Sequence, residues 1–287
     1  AGLPVEPVPG DLLDPPSLRR ALEGVAEVIH AAGTISFRPA DAERVHRVNY
    51  DGTVNLFRAA LEAGARRVVF TASIFGLGCA EDPAHPVTES TTFNTPDLLD
   101  IPYLRTKRAV ERAAEEALQA GLPLVRVYPG LCLGPGDHHR SSSGAIDQWL
   151  RGRLPAVVGG GGICLIDVRD AAAAHLAALD RGLPGEKYLA AGHNVTLREL
   201  FARLQRLTGR AAPPVLPPWP GIPLAALAGR LGLFPTLEAA QARMMARYWW
   251  YDSARAERDL GVRFRPLDDT LRDTVAWLQA AASEDMK

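Results

Sequence analysis

Tyr103-Leu104-Arg105-Thr106-Lys107 is the stretch from which the fold can be predicted. It follows Asp100-Ile101-Pro102 and runs into a segment rich in Ala, Glu and Arg that reaches Leu118. Asp100 can cap a helix, Pro102 suits a first helical turn, and the residues that follow are strong helix formers. We therefore predict a helix that begins near Tyr103. Because residues four apart share a helix face, the Tyr103 phenol and the Lys107 ammonium should be neighbours.

That spacing suits proton transfer. A phenol with an ordinary pKa of about 10 exchanges protons near neutrality when a cation and a helix N-terminus stabilise its phenolate. The pattern alone is a weak signal, because a tyrosine four residues before a lysine is also common in solvated helices. Its meaning depends on the residues around it.

Two apolar stretches upstream of this helix predict buried strands. Arg67 to Ser73 reads as a short strand that ends in small hydroxyl residues, and Val25 to Gly33 reads as another. Asn49 falls in the helix predicted between them. Parallel strands open their carboxyl ends onto one edge of a sheet, where ligands bind in α/β proteins. These segments therefore predict a site at that edge.

An Asn, a Ser and a Tyr-x-x-x-Lys in this order resemble the extended short-chain dehydrogenase/reductases. The resemblance implies a doubly wound parallel sheet with a smaller substrate lobe, and NAD or NADP as cofactor. It also implies four catalytic residues. In the direction of reduction, Tyr103 would donate a proton to the substrate oxygen and Ser73 would hydrogen-bond to it. Lys107 would lower the tyrosine pKa and hold the cofactor ribose, and Asn49 would order a water-linked proton path.

The same resemblance implies a set of cofactor-binding residues. Asp11 and Leu12 match an Asp-hydrophobic pair that binds the adenine amino group, and we expect Asp14 to cap the next helix and leave Asp11 free. Small side chains at a strand end allow the backbone to approach a ribose or pyrophosphate. The remaining predicted residues are Ala31, Ala32, Gly33, Thr71, Tyr103, Lys107, Pro129, Gly130 and Leu131.

A glycine-rich turn for the cofactor pyrophosphate is not found in this sequence. Dinucleotide-binding domains normally begin with a strand, such a turn and a helix. The only dense glycine run, Gly159 to Gly162, leads into an apolar stretch and reads as an ordinary turn. Since family members carry roughly fifty residues before the point that matches Ala1, we expect the glycine-rich opening to lie upstream.

Leu131 discriminates between branches of the family. Nucleotide-sugar epimerases and dehydratases usually have an Asn at this point, whereas an apolar residue resembles bacterial dihydroflavonol-4-reductase-like proteins. Two further stretches also resemble those proteins, Gly134-Pro135-Gly136-Asp137 and Asp167-Val168-Arg169-Asp170. We predict an oxidoreductase that acts on a carbonyl or alcohol carbon of a comparatively apolar small molecule. Two alternative functions stay open, an epimerase/dehydratase and a non-catalytic cofactor-binding regulator. Leu131 argues against the first, and the presence of all four catalytic residues argues against the second.

Two units are expected. Residues 1–190 should form the NAD(P)-binding domain, and residues 191–287 mainly a discontinuous substrate lobe. The aromatic cluster that ends at Tyr251, with Met244 and Met245, is either core or the lining of an apolar pocket, and core is favoured. By resemblance, the helix predicted over residues 40–63 and the helix after Tyr103 pair with their copies in a homodimer.

Composition excludes other classes. The 287 residues are 47% hydrophobic and 23% charged with net charge −1, so no basic excess argues for nucleic acid. No apolar run approaches the roughly 18 residues of a membrane span, and no secretory signal pattern is visible. Three cysteines without metal-ligand spacing favour a reducing cytoplasm. We predict no metal site, since His138-His139 lacks further ligands nearby.

Overall fold

Strands and helices alternate along most of the chain. The computed structural model describes residues 5–231 and 239–284. The strands are β1 Glu27–His30, β2 Arg67–Thr71, β3 Leu124–Pro129, β4 Leu131–Leu133, β5 Val157–Val158, β6 Gly162–Asp167, β7 Lys187–Ala190, β8 His193–Thr196, β9 Val215–Leu216 and β10 Tyr248–Trp249. The helices are α1 Pro15–Leu22, α2 Ala42–His46, α3 Gly52–Glu62, α4 Pro102–Gln119, α5 Gly144–Leu150, α6 Val168–Arg181, α7 Leu197–Thr208, α8 Pro218–Arg230, α9 Ala239–Met245, α10 Ala254–Leu260 and α11 Leu267–Glu284.

The main sheet has the order β1-β2-β3-β7, and all of its pairs are parallel. Alternate residues of β2 enter different cores: Val68 and Phe70 pack in one cluster, and Val69 packs in a second with residues of α6 and α10. Side chains of a strand alternate between the faces of a sheet, so helices cover both faces. This confirms the predicted doubly wound α/β fold.

A second sheet has the order β10-β6-β4, with β8 antiparallel to β6. The apolar segment from Leu124 to Leu133 is divided between the two sheets at Gly130, with β3 in the main sheet and β4 in the second. A Cβ atom at Gly130 would overlap the carbonyl oxygen of Ala191 and lie 3.0 Å from that of Cys164. Only glycine permits this close crossing. The second sheet draws strands from both sides of residue 190, and the predicted division there stays a prediction.

Two helix predictions need correction. Helix α4 begins at Pro102, but its N-cap is Ile101 rather than Asp100, and Asp100 forms an ion pair with Arg243 (Oδ1 to Nη2, 3.0 Å). The helix expected over residues 40–63 is interrupted by a π-helical turn at Arg47–Asp51. Such turns often lie at functional sites.

Across the part of the chain that the structure describes, no helix combines the length and apolarity needed to cross a membrane. The apolar helix α8 is short and contains Pro223.

Candidate active site

A cavity of about 690 Å³ opens at the carboxyl edge of the main sheet. The segments that follow β1, β2 and β3 border it, as expected for parallel strands whose ends meet at one edge. It also receives the first turn of α4. The sequence-predicted residues that line it are Ala31, Ala32, Gly33, Thr71, Ser73, Tyr103, Lys107, Pro129, Gly130 and Leu131.

Tyr103 and Lys107 lie side by side, as their spacing predicts. The Lys107 Nζ atom is 5.4 Å from the centroid of the Tyr103 ring. Tyr103 is only 6% exposed, and its ring makes edge contacts with Phe37 and Phe75 (5.4 and 6.1 Å between centroids). These contacts hold the phenol in one orientation at the cavity wall.

The charge of Lys107 affects the pKa of His30, whose imidazole is buried. Burial, and then the charge of Lys107, lower the pKa of His30 to about 4. His30 stacks on Phe70 and its Nε2 lies 2.9 Å from Thr53 Oγ1. It is therefore a neutral packed side chain near neutrality. No carboxylate of the described residues lies within ion-pair distance of Lys107, so its ammonium stays available to a ligand.

Ser73 caps a 3-10 turn directly after β2. Its Oγ accepts a long hydrogen bond from the Phe75 backbone N–H (3.4 Å), which leaves the hydroxyl hydrogen free to face the cavity. Gly76 lets this turn approach α4 closely. A Cβ atom there would lie 3.0 Å from the Lys107 carbonyl oxygen and 2.8 Å from Glu111 Cγ. Gly76 thus lets the turn that begins at Ser73 pack against α4, the helix that carries Tyr103 and Lys107.

Asn49 lies behind the cavity wall. It is 2% exposed and belongs to the π-helical turn. Its Oδ1 accepts a hydrogen bond from the Thr34 backbone N–H (2.7 Å), and its Nδ2 donates to the Thr34 carbonyl oxygen (2.8 Å). Thr34 and Gly33 line the cavity, so the Asn49 side chain positions that segment.

Asp11 and Leu12 lie outside this cavity, at the start of α1. Asp14 occupies the N-cap position as predicted, but its carboxylate accepts no capping hydrogen bond. The expectation that the Asp11 carboxylate has no partner is wrong for one of its two oxygens. Its Oδ1 accepts a hydrogen bond from the Leu13 backbone N–H (2.9 Å). The Leu12 side chain packs against Gly52.

His175 is a neighbour of the site that the sequence did not indicate. Its Nδ1 lies 2.7 Å from the Ala171 carbonyl oxygen, which can only accept, so Nδ1 carries the hydrogen. Burial lowers the pKa of His175, which favours this neutral form. Its Nε2 therefore accepts from the Thr71 hydroxyl at 2.8 Å, and the lone pairs of Thr71 are left for the cavity.

The aromatic cluster is mainly core, as favoured, and it supports the site. Trp249 is fully buried and contacts Phe75 edge to face at 4.7 Å. Tyr251 donates a hydrogen bond from its phenol to the Ile74 carbonyl oxygen (2.9 Å). Met244 and Met245 line the cavity itself.

Most of the remaining cavity wall is apolar. Its apolar residues come from β4 to β6, α5, α7 and α9, and include Leu133, Ile146, Leu165, Leu200, Phe201 and Met244. Polar residues in this part of the wall are Arg140, Ser141, Ser142, Gln148 and Gln241. Cys132 also lines it, but burial raises the pKa of this thiol to about 12, so it stays protonated. Among the residues described, no cluster of three or more His, Cys, Asp or Glu side chains suits a metal ion.

The edge of the sheet fits a dinucleotide. Ala31, Ala32 and Gly33 are exposed after β1, and their small side chains let a ligand reach the backbone. The Lys107 ammonium supplies hydrogen-bond donors that suit ribose hydroxyls. A Cβ atom at Gly33 would lie 3.2 Å from Asn49 Oδ1, so this position accepts little more than hydrogen.

Comparisons with known proteins found similar sequences and a similar fold. The family model of the NAD dependent epimerase/dehydratase family matches residues 3–191. A putative dihydroflavonol 4-reductase from Synechocystis sp. is 32% identical over 287 residues, covering 96% of this chain and 82% of the relative. Sterol demethylase protein B from Methylococcus capsulatus is 33% identical over 286 residues, covering 97% and 86%. The crystal structure of gox2253 has a TM-score of 0.80 at 31% identity and covers 95% of this chain and 84% of that chain.

Proposed function

Because the chain belongs to the NAD-dependent epimerase/dehydratase family of extended short-chain dehydrogenase/reductases, we propose that it interconverts a carbonyl and an alcohol on an apolar small molecule. It is an enzyme, and its cofactor is NAD or NADP. We infer the apolar character of the substrate from the names of two relatives and from the cavity wall. The two relatives described above carry names that refer to a dihydroflavonol and a sterol, both of which are built on carbon ring systems.

One observation carries the proposal: a single cavity joins Ser73, Tyr103 and Lys107 to the apolar wall. A substrate whose carbonyl lies at Tyr103 therefore places most of its remaining surface against aliphatic and aromatic side chains. Burial of apolar surface is favourable by about 25 cal/mol per Å². Among the described lining residues there is no Asp or Glu, and few amides, to receive the hydroxyls of a sugar.

The proposed chemistry assigns one task to each polar side chain. When bound, the nicotinamide supplies hydride to the carbonyl carbon in reduction. Tyr103 donates its phenol proton to the carbonyl oxygen, and the Ser73 hydroxyl donates a hydrogen bond to the same oxygen. The Lys107 ammonium stabilises the phenolate that Tyr103 becomes. Asn49 acts through Thr34, and its predicted water-linked proton path stays a prediction.

The cofactor contacts follow from the same arrangement. We propose that Lys107 and Thr71 contact the nicotinamide ribose and that Pro129, Gly130 and Leu131 border the nicotinamide. Ala31 to Gly33 would approach the ribose or pyrophosphate through the backbone. Asp11 and Leu12 lie outside the cavity, and their contact with the adenine stays a prediction.

A nucleotide-sugar epimerase or dehydratase is the alternative, because the family name covers both activities. Assays with aryl and alicyclic ketones, with NADPH and NADH, and with UDP-hexoses separate them. We expect ketone reduction with net cofactor oxidation. Interconversion of a UDP-hexose without net cofactor turnover would overturn the proposal.

The quaternary structure is a further proposal. We propose a homodimer through α3 and α4, which pack against each other in the described chain and expose Leu61 on α3. Light scattering after size-exclusion chromatography tests it, and a monomer mass at micromolar concentration would contradict it. The cytoplasmic location and the division of domains at residue 190 also stay predictions.

A further inference from the structure

Arg140 has an unusual backbone at the cavity wall. It lies between β4 and α5 and lines the cavity together with Ser141 and Ser142. Its φ of 53° is in the left-handed region, and among the described residues it is the only non-glycine residue with a positive φ. That conformation is strained for a residue with a Cβ atom. Such strain persists mainly where surrounding structure or function requires it.

The guanidinium of Arg140 is held in place without a carboxylate. Its Nη1 donates to the Asp137 carbonyl oxygen at 3.0 Å, and its Cζ lies 4.5 Å from the centroid of the Trp277 ring. No described Asp or Glu lies within ion-pair distance of it. A cation on an aromatic face with remaining N–H donors is suited to bind an anion.

Asp137 is the acid nearest in sequence, but its carboxylate is turned to the serines that follow. Its Oδ1 accepts from the Ser141 N–H and hydroxyl, and Oδ2 accepts from the Ser142 N–H and the Ser143 N–H and hydroxyl, at 2.8 to 3.1 Å. The loop is thus closed by Asp137 without neutralising Arg140. Lys107 and Arg140 are the charged residues among the described residues that line the cavity.

We propose that the substrate carries a carboxylate on its apolar body and that Arg140 binds this carboxylate. The inference rests on the proposed function and narrows its substrate class. Two charged side chains of the described residues line the cavity. Lys107 is proposed to stabilise the Tyr103 phenolate, whereas Arg140 has no part in the proposed proton transfer. One guanidinium matches the single charge and paired oxygens of a carboxylate, whereas a phosphate dianion would need further cations.

A purely structural role makes a different prediction. If Arg140 only holds the loop against Trp277, its removal weakens every ligand alike. If it binds a carboxylate, its removal weakens acids and leaves neutral analogues unchanged. A hydrogen bond to a charged group is worth roughly 1.5–3 kcal/mol, which corresponds to about 10- to 100-fold in affinity.

Calorimetry with the full-length enzyme, saturated with oxidised cofactor, tests the inference. The ligands are ω-phenylalkanoates of increasing chain length and their neutral amides. We expect the best acid to bind about 10- to 100-fold more tightly than its amide, and Arg140→Gln to abolish that difference while the amide changes less than about threefold. Arg206→Gln, an exposed arginine on α7, is the control for net charge. Equal binding of every acid and its amide by the wild type, or equal losses for both in Arg140→Gln, would overturn the inference.

Turnover separates this inference from the proposed function. With 4-benzoylbutyrate and its methyl ester as substrates, Arg140→Gln should raise KM for the acid about 10- to 100-fold and leave kcat and the ester unchanged. If no ketone is reduced, the proposed function fails and calorimetry still decides the role of Arg140. If ketones are reduced but acids and amides bind alike, the inference fails alone.

Discussion

The Tyr251 phenol donates a hydrogen bond to the carbonyl oxygen of Ile74 at 2.9 Å, although the two residues are 177 positions apart in the chain. The same hydroxyl also reaches the Gly78 carbonyl oxygen. Ile74 follows Ser73, so a residue late in the chain holds the turn that presents the proposed catalytic serine. The aromatic cluster thus joins the later part of the chain to the chemistry at the sheet edge.

Tyr251→Phe should lower the free energy of unfolding by about 1–3 kcal/mol, because it leaves buried carbonyl oxygens without their donor. The tyrosine is 2% exposed, so water cannot replace the hydroxyl. Urea unfolding measures the change. Tyr248→Phe is a matched control, since the Tyr248 hydroxyl bonds to no described residue, and it should change stability by less than about 0.5 kcal/mol. Equal effects of both substitutions would contradict the assigned role.

Gly76→Ala should lower kcat by about 10- to 100-fold, because the added methyl group displaces the Ser73 turn from Lys107, and misplacement of about 1 Å is enough for such a loss. Cofactor affinity should change little. Steady-state kinetics and cofactor titration measure the two effects. Gly10→Ala is the control, since a Cβ atom there lies no closer than 3.9 Å to a neighbour. A kcat within about twofold of wild type would show that the turn adapts to the methyl group.

Short-range patterns predicted much of this site. The spacing of Tyr103 and Lys107 predicts their contact, because helix geometry is local. The strand ends at Gly33 and Ser73 predict a site at the carboxyl edge of the sheet, because parallel strands share a direction. Gly76 follows Ser73 by three residues, and its small size beside a predicted helix was a usable signal.

The long-range partners had no such signal. The contact of Tyr251 with Ile74, the His175 bond to Thr71 and the pairing of Asp100 with Arg243 join segments far apart in sequence. Their geometry is set by how distant helices, strands and loops pack together, and no periodicity in one segment encodes the identity of the other. Asp100 shows the consequence: its local capping preference gave no indication of Arg243, its partner in the folded chain.

Tyr103→Phe should lower kcat by about 100-fold or more, because phenylalanine has no proton to donate to the substrate oxygen. The ring contacts with Phe37 and Phe75 remain, so stability and cofactor affinity should stay near wild type. Steady-state ketone reduction and cofactor titration measure these quantities. Activity within about threefold of wild type would remove Tyr103 from the proposed mechanism.

Lys107→Ala should harm both turnover and cofactor affinity, since the ammonium is proposed to stabilise the Tyr103 phenolate and to bind ribose hydroxyls. Loss of hydrogen bonds from a charged donor predicts about 10-fold weaker cofactor binding or more. Arg105→Ala removes an exposed cation from the same helix and is the control for charge. Unchanged cofactor affinity in Lys107→Ala would contradict the proposed ribose contact.

The buried imidazole of His30 makes the last prediction, on the pH dependence of stability. Its pKa is about 4 in the folded protein because of burial and the nearby Lys107 charge, against about 6.5 in an unfolded chain. Between these values the unfolded state binds a proton that the folded state does not, so the free energy of unfolding falls as the pH falls from about 6.5 to about 4. Below that range both states are protonated and His30 adds no further change.

The loss that His30 contributes should approach about 3 kcal/mol across this range, since each pKa unit corresponds to about 1.4 kcal/mol. Burial lowers the pKa of His175 as well, so the free energy of unfolding also falls with pH because of His175. The contribution of His30 is therefore measured as the difference between wild type and a variant that lacks this imidazole. Urea unfolding at several pH values therefore compares wild type with His30→Gln, and exposed His139→Gln is the control. Gln cannot titrate, so its curve should be flatter than that of wild type below pH about 6.5 whatever its absolute stability. Parallel curves for wild type and His30→Gln would mean that His30 binds its proton equally well in both states.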